Sequence, residues 1–351
     1  MIQTKLHPYV LNFIQSGGTS RGVMTHKKSW IIELTDEASN KKGWGECSII
    51  ENLSPDYQND LDYEKNIQLF LSEISANSIN KGLLSLFPSI QFGIESALKS
   101  IVSPTPFLLY ENDFSLGKEG ITINGLIWMG KIDFMKSQIE TKLANGSHCL
   151  KLKIGATNLE DELSLLKSIR KTYNSEQLEI RVDANGAFSF ENAPTILEKL
   201  SKLAIHSIEQ PIRAGNWKQM AKLCSETPLP IALDEELIGI TEKKMKSELL
   251  QEIKPQYIIL KPSLVGGFTG TSEWIESAKH QHIPWWMTSA LESNIGLNAI
   301  AQYTASHKPT IPQGLGTGSL YNNNINSPLK VIGDKLHYQS TNNWDLSVFT
   351  H

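Results

Sequence analysis

Cysteine is scarce in this chain. The 351 residues include three, Cys47, Cys149 and Cys224, and no two of them form a pair motif. A sparse, odd count fits free buried thiols in a reducing cytoplasm rather than a disulfide scaffold. No run of about 18 apolar residues occurs, so no transmembrane helix is expected. Met1 to Ser16 mixes Lys5, His7 and Pro8 with apolar residues and has no signal-peptide core. A cytoplasmic location is therefore expected. Neither sign of charge dominates: the net charge is −4, which argues against a nucleic-acid footprint. The nine histidines show no H-x-x-x-H spacing, and His280 and His282 stand only two apart in a polar stretch. There is no G-x-S-x-G, P-loop or dinucleotide fingerprint. Low-complexity tracts and solenoid-type repeats are also missing. What remains is an ordinary globular composition, long enough for one large domain or two moderate ones.

The first hundred residues and the middle of the chain are patterned differently. Ser29–Leu34 reads as a strand with Trp30, Ile32 and Leu34 on one side. A polar turn, Asp36 to Lys42, leads to Gly43-Trp-Gly-Glu46, as in an antiparallel hairpin or meander. Tyr57 to Ser75 and Ser89 to Ser100 have helical spacing. Strands followed by helices, without alternation, mean an α+β domain. Alternation begins at Ile121–Trp128, expected as the first strand of a barrel, with Phe134 to Ala144 as its helix. The expected domains are an α+β capping domain over 1–110, a (β/α) barrel over 111–320 and a C-terminal segment, 321–351, returning to the capping domain.

Five charged residues mark the rhythm of the middle: Lys153, Asp183, Glu209, Asp234 and Lys261, separated by 30, 26, 25 and 27 residues. Each sits at or just past the C-terminal end of a short apolar run. A strand, a helix and two loops take roughly 25–30 residues, so these are successive βα units. Ile283–Thr288 and Thr310–Gly314 continue the series, giving eight strands from Ile121. A closed parallel barrel gathers such strand ends onto one rim. Any one of Asp183, Glu209 and Asp234 could be a helix N-cap. Three at the same position of consecutive units point instead to a shared site, because carboxylates gathered in one pocket repel unless a cation sits among them. Oxygen-only ligation favours Mg²⁺ first and Mn²⁺ second.

Lys151 and Lys153 are two apart on one strand and point to the same side. They read either as lysines snorkelling at a barrel mouth or as a base made available by a neighbouring ammonium and a cation, both of which favour neutral Lys153. Lys261, four strands on, faces Lys153 across the barrel; it reads as a loop anchor or as the second functional lysine. Two lysines flanking a metal suit removal of a proton next to a carboxylate, with the enediolate stabilised electrostatically.

Lys151-x-Lys153, Asp183-Ala-Asn185, Glu209-x-Pro211, Asp234-Glu235 and Lys261-Pro-Ser-Leu-x-Gly266 resemble the muconate-lactonizing-enzyme subgroup of the enolase superfamily. More narrowly, Gly43-Trp-Gly-Glu46, Pro88–Gly93, Thr288–Ser293 and Gly296-Leu297 resemble the o-succinylbenzoate synthase family of menaquinone biosynthesis. The resemblance runs from about residue 20 to about residue 320. It implies a (β/α)₇β-type TIM-like barrel with an α+β capping domain, and the Mg²⁺-dependent dehydration of 2-succinyl-6-hydroxy-2,4-cyclohexadiene-1-carboxylate. It implies Asp183, Glu209 and Asp234 as metal ligands, Lys153 as the base that then acts as acid, and Lys261 as the opposite lysine that stabilises the enediolate. Thr288, Ser289 and the Gly314 backbone match places where the family holds the succinyl arm, although Thr288-Ser-Ala290 stands where a relative carries three serines. Lys151, Arg181 and Asn185 complete the expected substrate contacts; Asn185 reads equally as a supporting donor and Arg181 as a surface strand charge. The expected partner is a small carboxylate substrate, with no nucleic acid and no membrane.

Gly17–Gly22 reads as an ordinary connection or as a lid over the barrel mouth. Of Trp285 and Trp286, at most one lines the pocket, since adjacent strand residues face opposite ways. Glu292 reads as a solvated carboxylate at a helix start. Two alternatives to dehydration remain open. An N-succinylamino acid racemase, or a related epimerase, would use both lysines as proton carriers. A dipeptide epimerase is disfavoured, since Gly314-Leu-Gly-Thr-Gly318 lacks the Asp-x-Asp that such enzymes place there to hold a substrate ammonium. A non-catalytic binding barrel predicts decay in the five charged positions, and none is decayed.

Overall fold

Alternation of side chains across a pleated strand puts Trp30, Ile32 and Leu34 on one face of β2 (Gly22–Asp36), where they are buried. A computed structural model describes residues 1–19, 22–155 and 158–350. In it β2 is the middle strand of a three-stranded antiparallel sheet. β3 (Lys42–Ser48) pairs with one edge of β2 and β1 (Ile2–Thr19) with the other, in register from Ile2–Asp36 to Thr19–Gly22. A bulge between Asn12 and Gly17 shifts the register before the hairpin tip. β1 extends the expected hairpin far toward the N-terminus. It is an edge strand with one exposed face: Ile2, Leu6, Tyr9, Leu11 and Phe13 turn inward while Gln3, Lys5, Val10 and Asn12 are exposed.

Helices α1 (Asp60–Ser75), α2 (Lys81–Leu84) and α3 (Pro88–Val102) follow the sheet. Ile67, Phe70, Ile90 and Ile94 from α1 and α3 pack on the Trp30 face. Asn59 caps α1 through its side chain, and Pro88 opens α3 where no N–H is needed. α3 lies so close to β3 that a Cβ on Gly45 would stand 1.9 Å from the carbonyl of Gly93. The glycines of Gly43-Trp-Gly-Glu46 are thus set by backbone approach.

The barrel is a run of seven parallel strands in consecutive order. They are β5 (Gly125–Ile127), β6 (Cys149–Lys153), β7 (Glu179–Asp183), β8 (Ser207–Glu209), β9 (Ile231–Leu233), β10 (Tyr257–Leu260) and β11 (Trp285–Met287). Outside them run α4 (Ile132–Ala144), α5 (Leu159–Thr172), α6 (Ala193–Ser201), α7 (Trp217–Glu226), α8 (Lys243–Ile253), α9 (Pro262–Val265), α10 (Gly267–His280) and α11 (Asn294–Ser306). Closure at the eighth position is slight: Gly314 bridges to Thr288 and Gln313 to Ile123, both parallel. Pro312 has no N–H to give a ladder there. The expected first strand, Ile121–Trp128, is divided. Ile121–Thr122 forms β4, which pairs antiparallel with β13 (Lys335–Tyr338), itself paired with β12 (Leu329–Ile332). Gly125–Ile127 enters the barrel ladder beside β6, and Ile123 adds the single bridge to Gln313.

The residues after Gly314 touch both halves. Asn322 N donates to Asn12 O (3.1 Å), Asn12 N donates to Asn323 Oδ1 (2.8 Å), and Phe349 packs its ring 5.2 Å from His7 and 5.8 Å from Trp44. Among the described residues no helix is long and apolar enough to cross a membrane.

A buried polar knot joins the capping sheet to the barrel. Glu46 Oε1 accepts from Ser29 Oγ (2.7 Å) and Ser293 N (2.9 Å), while Oε2 accepts from Ser293 Oγ (2.5 Å) and Gly296 N (2.9 Å). Glu46→Ala strands these donors in an apolar interface, so it is expected to cost roughly 3 kcal/mol in urea unfolding. Glu46→Gln keeps one acceptor oxygen and should cost clearly less; equal losses would refute the hydrogen-bonding account.

Candidate active site

The inward-facing residues at the C-terminal ends of β6 to β10 converge as the spacing predicts. Lys153 and Asp183 are register partners on β6 and β7, and Asp183 and Glu209 on β7 and β8. Asp234 follows β9 and Lys261 follows β10, and all five side chains are buried. Lys153 Nζ donates to Asp183 Oδ2 (2.5 Å) and to Asn185 Oδ1 (2.8 Å). Lys151 Nζ lies 2.9 Å from Asp183 Oδ2 and also pairs with Glu209. Lys261 pairs with Asp234 and stands 3.7 Å from Glu209 Oε1.

Burial and charge pull these groups apart. Burial disfavours every charge here. For Lys151 it is outweighed by Asp183, Glu209 and Asp234, and the ammonium is held above its ordinary value. For Lys153 burial wins, with Lys151 and Lys261 adding to it against Asp183, and its value falls. Lys261 is raised, because Asp234 and Glu209 outweigh burial. Asp183 and Asp234 are lowered by the lysines despite burial, whereas burial and Asp183 push Glu209 well above the carboxylate range. The two lysines across the barrel are therefore electrostatically unlike.

As the side chains stand, no three acidic, thiol or imidazole groups among the described residues enclose one cation position. The open carboxylate cage expected from the sequence is replaced by an interleaved set in which Lys151, Lys153 and Lys261 neutralise the acids. The donor set still fits a hard divalent ion. Glu209 lies within hydrogen-bonding reach of both Asp183 and Asp234. Its Oε1 is buried without a hydrogen bond. Three adjoining carboxylates with such an oxygen are suited to Mg²⁺ once the lysine heads turn aside.

Above this cluster is a cavity of about 310 Å³, at the lower end of the roughly 300–1,000 Å³ usual for small-molecule sites. Lys151, Lys153 and Lys261 line its floor, and Thr288, Ser289 and Gly314 line its wall. The roof comes from the capping domain: Gly22 to Lys28 of the hairpin, and Ile49 to Leu53 after β3. Met129 N donates to Gly18 O (3.2 Å), so the hairpin is docked on the loop after β5. Of the expected lid, Gly17–Gly22, residues Ser20 and Arg21 lie outside the described residues; Thr19 and Gly22 line the cavity.

Several expected substrate contacts have other partners. Arg181 is one inward layer below Asp183 and does not reach the cavity. Its Nε donates to Glu179 (2.6 Å), one Nη donates to Pro312 O (2.9 Å), and the guanidinium lies 4.3 Å over the Trp286 ring. Trp286 is accordingly inside the barrel but below the site, and Trp285 packs against His307. Asn185 holds Lys153 and Glu235 (Nδ2 to Oε1, 2.9 Å) rather than facing the cavity. Gly314 N is committed to Met287 O (2.8 Å); what Gly314 gives is room, since a Cβ there would stand 2.5 Å from Thr288 Oγ1. Ser289 Oγ is committed to Glu292 (2.6 Å) and Thr317 (2.9 Å). Glu292 is not solvated: its exposure is 0%, and Ser263 and Ser289 donate to its two oxygens. The sequence reading missed Lys27, Asn124 and Trp128, all of which line the cavity. Polar Asn124 within Ile121–Trp128 was the one available signal. Thr288 Oγ1, Asn124 Oδ1 and Trp128 Nε1 are buried without hydrogen-bond partners, as expected where a ligand completes them.

Residues 135–337 match the enolase C-terminal domain-like family. An o-succinylbenzoate synthase from Desulfotalea psychrophila is 46% identical over 356 aligned positions, covering 93% of this chain and 96% of that one. The crystal structure of MenC from the same organism superposes with a TM-score of 0.82 at 43% identity, covering 96% and 99% of the two chains. The L-Ala-D/L-Glu epimerase of Bacillus subtilis shares the fold at a TM-score of 0.82 and 19% identity, covering 96% of this chain and 95% of its own.

Proposed function

Because the chain belongs to the enolase superfamily, we propose that it dehydrates 2-succinyl-6-hydroxy-2,4-cyclohexadiene-1-carboxylate to o-succinylbenzoate, a carbon–oxygen lyase step of menaquinone biosynthesis. One observation carries the chemistry: Lys153 and Lys261 face a single small cavity from strands four apart in the barrel, with Asp183, Glu209 and Asp234 beneath them.

Mg²⁺ held by Asp183, Glu209 and Asp234, with Mn²⁺ as a substitute, supplies electrostatic stabilisation of the negative charge that develops on the substrate carboxylate. Lys153, whose amine burial favours, takes the proton from the carbon next to that carboxylate at Nζ. The same Nζ then gives its proton to the departing hydroxyl. The C–H pair becomes the new ring double bond, the C–O bond breaks, water leaves, and Lys153 is neutral again. Asn185 Oδ1 aims Nζ, and Lys151 lies beside Asp183 and Glu209 on the same floor of the cavity. Lys261 acts as a fixed cation on the other side of the cavity.

The assay is direct. The purified protein with Mg²⁺ should convert the cyclohexadiene to o-succinylbenzoate; absence of conversion beside rapid racemization of N-succinylamino acids would reverse the assignment. Racemization is the second reading, because both lysines reach the same cavity. Lys261→Arg separates the two, since arginine keeps the charge but does not give up a proton near neutral pH. The variant is expected to retain measurable dehydration while racemization is lost. Equal loss of both would make Lys261 a proton carrier in dehydration too.

A further inference from the structure

Lys27 is a buried cation that the mechanism above does not use. It lies on β2, five residues beyond Gly22, is 4% exposed, and forms part of the cavity roof. An ammonium carries three N–H donors. Among the described residues Lys27 makes one hydrogen bond, to Ser48 Oγ.

The nearest acids are already satisfied by others. Both oxygens of Glu46 are filled by Ser29, Ser293 and Gly296, and both oxygens of Glu292 by Ser263 and Ser289. These carboxylates act on Lys27 through space: burial pulls the ammonium below its ordinary value, and Glu292 and Glu46 oppose that. A buried ammonium with spare protons at a cavity wall is costly unless an acceptor arrives. Two more donors with no partner, Thr288 Oγ1 and Trp128 Nε1, belong to the same lining. The cavity thus asks for acidic oxygens at its roof as well as at its lysine floor.

We propose that Lys27 anchors a second carboxylate of the substrate, at the end of the arm remote from the reacting carbon, and so selects dianionic substrates. The proposal rests on the dehydration reading, in which the succinyl arm carries that second acid, and it gives the capping domain one specific charge with which to choose substrates.

The test compares two ligands of equal arm length, o-succinylbenzoate and 2-butanoylbenzoate, which has a methyl where the first has the distal carboxylate. Binding to the Mg²⁺-loaded protein is measured by calorimetry. The wild type should prefer the diacid by at least ~10-fold, as for a desolvated charge pair. Lys27→Met should reduce that preference below ~3-fold, and its loss should appear in KM more than in kcat. Should Lys27→Met fail to fold, with Glu292 and Glu46 left unneutralised, Lys27→Met combined with Glu292→Gln removes one charge of each sign and serves in its place. A wild-type preference that survives in the variants, or no preference in the wild type, overturns the anchor. Preference present in the wild type and lost in the variants, without dehydration of the cyclohexadiene, would remove the dehydration reading and leave the anchor standing.

Discussion

Lys153→Ala is expected to lose ~10²–10⁴-fold or more in kcat/KM, the usual weight of general acid–base catalysis. The loss should sit at the upper end, because one nitrogen serves both proton transfers. Lys153 contributes no metal-ligand oxygen, so Mg²⁺ affinity should stay within a few-fold of the wild type. The hydrogen bond from Lys153 to Asn185 gives a second check. Asn185→Ala leaves the amine in place but frees its head, so it should lower kcat by a smaller factor. Activity of Lys153→Ala within about tenfold of wild type would remove it from the base role.

Removal of metal should have the other large effect. Treatment with EDTA is expected to abolish turnover, and Mg²⁺ or Mn²⁺ to restore it. Asp183→Asn, Glu209→Gln and Asp234→Asn should each weaken metal binding by more than ~10-fold, since each removes a ligand charge. Thermal unfolding reads the same event without substrate: an ion that binds only the folded state stabilises it by ~2.7 kcal/mol at a hundred times its Kd. The three variants should lose that increment. An unchanged melting temperature on adding Mg²⁺ to the wild type, together with full turnover in EDTA, would dismantle the carboxylate assignment.

The five charged residues were legible because each is announced locally, by an apolar run ending in a charge, and because repetition in a barrel converts sequence spacing into position on a rim. The α3 helix and the β2–β3 hairpin were legible for similar reasons, through periodicity and a polar turn. What escaped was settled by partners distant in the chain. Glu292 looks like any acid at a helix start, and only Ser263 shows it to be enclosed. Lys27 reads as one of three basic residues in His26-Lys-Lys28, and only the barrel beneath makes it a wall. The Ile121–Trp128 run was divided because β13, more than two hundred residues later, takes its first half into another sheet. Arg181 has the inward direction that the alternation predicts, but depth along the barrel is not encoded in alternation.

The stitching of the C-terminal segment onto β1 bears on how the protein is made. Asn12 and Asn323 are 311 positions apart, and Glu46 meets Ser293 across 247. The strands of the N-terminal sheet pair locally, but its contacts with the barrel and with Asn322 and Asn323 wait for those distant segments. Contacts of such separation form late and slowly. The part of the β1 edge around Asn12 is therefore covered only when segments some three hundred positions apart have met.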